Sequence, residues 1–162
     1  MKDIDTLLRE KNIVLPQPAR PVANYRPAMI AGSQLIISGQ LPLGPDGTLA
    51  PNFIGAIGRE ITAQDGALAA RLCAINILAQ AQAALGSLNR VTQCLRLGGF
   101  IRAANGFHAI AGVMNGASDL MVDVFGAKGE HARSTIGVAS LPLNACVEIE
   151  ALFAIDGDHR VL

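Results

Sequence analysis

The chain has 162 residues, the size of one domain with a substantial core. Hydrophobic residues make up 51% and charged residues 16%, with 13 basic side chains balancing 13 acidic ones. Zero net charge speaks against a nucleic-acid binder, which normally carries a cationic footprint. So apolar a chain is expected to cover part of its surface with further copies of itself.

Residues Asp3 to Asn12 place Ile4, Leu7 and Leu8 at helical spacing, a charged, amphipathic start unlike a signal peptide. The proline-rich LPQPARPVANY reads as an extended connector, and AMIAGSQLIISGQLP as two short strands around Gly32-Ser33, the second ending at Gly39. Residues 43–59 hold Gly and Pro with little periodicity and read as a loop or loose hairpin. Thr62, with Asp65 three residues on, caps a long helix that Gly86 ends. Leu68, Leu72, Ile75, Leu78 and Leu85 form its predicted apolar stripe. Asp65, Arg71, Asn76, Gln80 and Gln82 make that segment read as too polar to span a bilayer.

A strand is predicted over Val91 to Ile101, a turn at Asn105-Gly106 and a second helix over Ser118 to Phe125, ended by Gly126. Strands over Arg133 to Leu141 and Cys146 to Ile155 close the chain. The order β-β-α-β-α-β-β predicts an α+β fold, one sheet with both helices on one face. No dinucleotide, phosphate-loop or hydrolase-elbow motif is present. Cys73, Cys94 and Cys146 have no metal or disulfide spacing and read as buried thiols of a cytoplasmic protein.

Alternation along the strand puts Arg133, Thr135, Gly137 and Ala139 on one face, so the guanidinium stands beside small residues where a planar anion can dock. A surface salt bridge is the simpler use of that arginine. In the last strand Val147, Ile149, Ala151, Phe153 and Ile155 form the face expected under the helices, leaving Glu148 and Glu150 opposite. A carboxylate there is solvated in a lone subunit, but its pKa rises if another subunit covers it. Tyr25, the single tyrosine, is a packing or cleft residue, and Asn115 to Ser118 suit a helix N-cap. His108, His131 and His159 show no triad or metal spacing, although His131 lies close enough to Arg133 to line the same cavity.

Three stretches carry a resemblance: NYRPAMIAGSQLIISGQLP, VMNGASDL and HARSTIGVASLPLNACVEIEAL. With Arg-Ser, Leu-Pro and Glu-x-Glu in that order, the chain resembles the RidA/YjgF family of reactive-intermediate deaminases from about Val22 to Ile155. The implied domain covers 22–162, behind an N-terminal helix and proline-rich lead-in at 1–21. The resemblance implies a chorismate-mutase-like subunit, a homotrimer with clefts between subunits, and hydrolysis of enamine/imine (2-imino acid) intermediates to 2-keto acids and ammonia. No cofactor, metal, nucleic acid or membrane is implied.

Carried over by position, Arg133 clamps the substrate carboxylate, while Thr135 backbone and the catalytic Glu150 hold water. Tyr25, Ser38, Gly39 and Asn115 line or border the cleft. The bound imino acid is expected to bridge Arg133 and Glu150, read as neighbours on adjacent strands. His131-Ala132 stands where the family's deaminases have Pro-Ala, and the N-terminal extension and longer 43–59 loop resemble a less characterised branch. A carboxylate-binding trimer without catalysis is the alternative. The family's older endoribonuclease label finds no basic stripe to support it.

Overall fold

The computed structural model describes residues 3–18 and 24–157. Part of the proline-rich connector (19–23) and His159 lie outside the described residues. In chain order the elements are α1 (Ile4–Glu10), β1 (Ala28–Ala31), β2 (Gln34–Gln40), α2 (Ala63–Leu85), β3 (Val91–Arg102), α3 (Ile110–Phe125), β4 (Ala132–Val138) and β5 (Val147–Ile155).

The strands form one mixed sheet in the order β1-β2-β5-β3-β4. Only β3 and β4, the pair joined through α3, run parallel; the other pairs are antiparallel. Burial alternates strictly along β5: Val147, Ile149, Ala151, Phe153 and Ile155 are buried, and the residues between them are half-buried. The predicted helix-facing side is therefore the observed one. Leu35, Ile37, Leu97 and Ile101 join it in the core beneath α2 and α3.

The predicted stripe on α2 holds at Leu78 and Leu85, both buried, and is displaced over the first half of the helix. Leu68 is 51% exposed, and Leu72 and Ile75 are only partly buried. The covered side is instead built from Gly66, Ala69, Ala70, Cys73, Ala74, Ile77, Leu78 and Ala81. Close approach explains the choice: a Cβ on Gly116 of α3 would collide with the Ala67 backbone carbonyl, so small residues set the helix spacing. Thr62 caps α2 through the Asp65 amide, and Gly86 ends it in the left-handed conformation (φ +76°). By length and hydropathy α2 could cross a bilayer, contrary to the reading from its polar residues; here it is the core helix, packed against α3 and β5.

Two boundaries also move. Helix α3 begins at Ile110, eight residues before Ser118, with Ala109 as an N-cap that makes no side-chain hydrogen bond. Without a capping side chain, local sequence offered no start signal, and Asn115 and Ser118 lie inside the helix. Strand β4 stops at Val138 rather than Leu141, because Leu143 (φ +55°) and Asn144 (φ +61°) take left-handed conformations in the following turn.

The N-terminal helix joins the same core through Ile4 and Leu8, capped by Asp3. The 43–59 loop is also anchored. Asn76 of α2 donates to the carbonyls of Leu41 (2.9 Å) and Leu43 (3.0 Å), and Ile57 is fully buried.

Candidate functional site

Ala111, Asn115 and Ser118 recur at i, i+4 and i+7 and thus share one face of α3. All three meet Arg133. Its Nη1 donates to Asn115 Oδ1 (2.9 Å) and Ser118 Oγ (3.0 Å), and its Nη2 donates to the Ala111 carbonyl (3.3 Å). Both Nη1 hydrogens are thereby used, leaving donors on Nε and Nη2 as a two-point edge for a planar anion. Every acceptor is neutral, and among the described residues no carboxylate pairs with this arginine. The salt-bridge reading is thus replaced by an arginine held in place by a helix.

Thr135 follows on the same side of β4, paired with Gly99, whose missing side chain makes room for Met114 of α3. Ser118 also contacts His131: its Oγ lies 3.0 Å from Nε2, and His131 Nδ1 lies 2.6 Å from the Gly129 carbonyl.

A second cluster occupies the other face of the sheet. Between the pairs Ile37–Ala151 and Gln40–Ile149, β2 advances three residues and β5 two, a bulge at Ser38-Gly39. Ser38 Oγ donates to the Arg26 carbonyl at 2.7 Å, tying the bulge to the segment before β1, where Tyr25 stands 53% exposed. A Cβ on Gly39 would run into the Glu148 carboxylate, so the glycine leaves that carboxylate its space. Glu150 lies over Gly98, and its Oε1 is 3.4 Å from Arg96 Nη1.

The two glutamates differ electrically. Partial burial, and then the charge of Glu150, push the Glu148 carboxyl above its ordinary value. Glu150 has a cationic partner in Arg96. Alternation alone did not separate the two and the resemblance singled out Glu150, because burial at an i, i+2 pair on one strand is decided by its neighbours. Here those are the β2 bulge for Glu148 and Arg96 for Glu150.

The predicted residues fall into two groups that one chain does not join. Strand β3 lies between β4 and β5, so Arg133 and Glu150 are not on adjacent strands. Arg133 pairs with Leu97 and Glu150 with Gly98, consecutive residues of β3 that point to opposite faces. Arg133, Thr135 and Asn115 stand on the helix side; Ser38, Gly39 and Glu150 stand on the open side. A single imino acid cannot bridge Arg133 and Glu150 within one subunit. Strand order was the missing datum, since it depends on long-range pairing.

The thiols lie outside both groups and are buried. Burial pushes Cys94 up to about 12, Cys146 up to about 11 and Cys73 well above the ordinary thiol value, so burial holds all three against the thiolate form.

Residues 6–155 match the family described as YjgF/chorismate mutase-like, a description that also carries an endoribonuclease label. The chain is 41% identical over 150 residues to protein TCP17 of Trypanosoma cruzi, covering 92% of each. Its fold is similar to that of Atu1372 from Agrobacterium tumefaciens, with 43% identity, a TM-score of 0.87, and coverage of 94% of this chain and 92% of that one. RidA from an Antarctic Psychrobacter species is 26% identical with a TM-score of 0.60, covering 86% of this chain and 94% of that one. The chain belongs to the RidA/YjgF family, with its chorismate-mutase-like α+β fold.

Proposed function

We propose that the protein hydrolyses 2-imino acids to 2-keto acids and ammonia, in clefts where two subunits of a homotrimer meet. The observation that carries this reading is Arg133: a fixed guanidinium with no carboxylate partner among the described residues and an open two-point edge suited to a substrate carboxylate. The separation of the two clusters supports a composite site. One subunit supplies Arg133, Asn115 and Thr135; its neighbour supplies Ser38, Gly39, Glu148 and Glu150, with Tyr25 at the rim. Assembly on the open face is supported by its exposed apolar residues, Met29 (51%), Ile36 (44%) and Ile136 (52%).

The chemistry asks little of the protein. A protonated imine carbon is already electrophilic, so no cofactor is required. Water adds to that carbon as a carboxylate takes its proton; the carbinolamine then receives that proton on nitrogen and expels ammonia as its hydroxyl passes a proton back to the carboxylate, leaving the 2-keto acid. Glu148, its carboxyl raised above the ordinary value, suits the proton transfer, and Glu150 beside it keeps Glu148 raised and helps hold the water.

The test generates 2-iminobutanoate in situ and follows its disappearance. Wild-type protein should accelerate it, whereas Arg133→Ala and Glu148→Gln should each lose at least about 100-fold in kcat/KM, the range expected when positioning or acid–base catalysis is removed. If sites are shared between subunits, dissociating the two inactive variants and reassembling them in equal amounts should restore about one quarter of the wild-type sites, the share set by random cyclic trimers. No acceleration by wild-type protein, together with protection against unfolding by 2-oxobutanoate, would move the assignment to a carboxylate-binding trimer.

A further inference from the structure

With a neutral His131 the hydrogen bonds behind Arg133 have one consistent direction. Gly129 offers His131 a carbonyl, which can only accept, so Nδ1 carries the proton and in the neutral ring Nε2 is left as an acceptor. Arg133 can only donate, so Ser118 Oγ receives its Nη1–H and turns its own hydrogen to His131 Nε2. The chain runs Arg133 → Ser118 → His131 → Gly129 carbonyl, with each group in the role its neighbour demands. Its anchor is stiff: Gly129 ends the turn Gly126–Gly129, and a Cβ there would collide with the Met121 backbone carbonyl.

We propose that Ser118 and His131 are positioning residues that fix the rotamer of Arg133, and with it the direction of the Nε/Nη2 edge. The proposal rests on the reading of Arg133 as the carboxylate clamp, and it gives the histidine in HARS a task. Asn115 and the Ala111 carbonyl alone hold the guanidinium from one side of α3; the Ser118–His131 arm adds the second hydrogen bond on Nη1 and stops rotation about the last side-chain bonds.

Two measurements test it separately from the function. The first is the NMR signal of the Arg133 Nε–H in the full-length protein without ligand. Ser118→Ala and His131→Leu should speed its exchange with water several-fold, while His131→Gln, whose amide oxygen can accept from Ser118, should keep it near wild type. The second is the Kd for 2-oxobutanoate by calorimetry. Loss of either arm residue should weaken binding about tenfold, within the penalty that misplacing a binding group carries, and His131→Gln should recover most of it. In an Arg133→Lys background, which has no Nη1, the effect of His131→Leu should vanish. If His131→Leu leaves both the Nε–H signal and Kd unchanged while Arg133→Ala abolishes binding, the positioning role is overturned and the clamp stands. If the signal responds but Arg133→Ala does not alter binding, the arm orders Arg133 and the carboxylate reading falls.

Discussion

The two faces of this sheet do different work from the same strands. On the covered face Leu35, Ile37, Leu97, Ile101 and Phe153 are inaccessible to solvent beneath α2 and α3. On the open face Ile36 and Ile136 stand in water beside Glu148, Glu150 and Arg96. Strand β5 serves both within nine residues, sending every second side chain to the core and the remainder outward. Because the covered face already supplies a continuous core, residues on the other face are released from holding the subunit together. They are free to meet another subunit or a substrate. Arg133 reaches the helix side from the sheet's outermost strand, so it remains exposed even though it faces the layer that buries everything else.

The sharpest way to break the contrast is to disturb the covered side. Gly116→Ala sets a Cβ against the Ala67 carbonyl, and backbone cannot swing aside as a side-chain tip can. A loss of about 2–3 kcal/mol is expected, the usual cost of overpacking. For a domain of this size that lowers Tm by roughly 5–10 °C, readable by calorimetry. The open-face counterpart is Ile36→Glu combined with Ile136→Glu. If the proposed trimer assembles on this face, the far-ultraviolet circular dichroism should stay native while sedimentation shifts from trimer to monomer and the proposed imine hydrolysis is lost. An unchanged sedimentation coefficient would leave the open face out of the assembly.

The covered face was the legible part. Alternation in VEIEALFAI assigned each residue of β5 to its side, and Thr62, Asp65 and Gly86 marked the ends of α2. What escaped was everything fixed by partners distant in sequence. Small residues rather than leucines line the first half of the buried side of α2 because α3 approaches through Gly116, and hydrophobicity does not encode that distance. Of the candidate site, Arg133 and Asn115 were recognised and do meet. Glu150 was placed beside Arg133 because nothing local reveals that β3 inserts between their strands. Ser118 was read as part of a helix cap, although its i, i+3 spacing from Asn115 could have shown that both reach one target.

Glu148 gives a smaller effect with a definite sign. Burial and the neighbouring charge of Glu150 raise its folded-state pKa above the ordinary 4.5, so folding favours the neutral acid. The stability that Glu148 contributes is therefore fully present below the unfolded value and is lost as pH rises through the raised folded one. At pH 7–8 the wild-type protein bears the cost of the charge and Glu148→Gln does not. The variant should melt higher there, and its advantage should shrink away toward pH 4. A variant that melts lower at pH 8 would mean that the charged form is the one the fold favours.

The smallest expected effect is also the one that best reports what covers the open face. Arg96 and Glu150 are 48% and 42% exposed in the lone subunit, where such a pair contributes at most about 1 kcal/mol. Removing Arg96 in a monomeric background should accordingly change stability little. The same deletion in an assembled trimer has a different meaning if a neighbouring subunit takes water away from the pair, because Glu150 is then left charged, desolvated and beside Glu148. Arg96→Gln should then raise the titration of Glu148 further, while Glu150→Gln should lower it by removing the neighbouring charge that now raises it. Carboxyl carbon NMR titrations of both variants, at concentrations above and below trimer dissociation, separate the cases. Shifts that grow on assembly place the glutamates inside an interface, and shifts indifferent to concentration leave them outside it, in water.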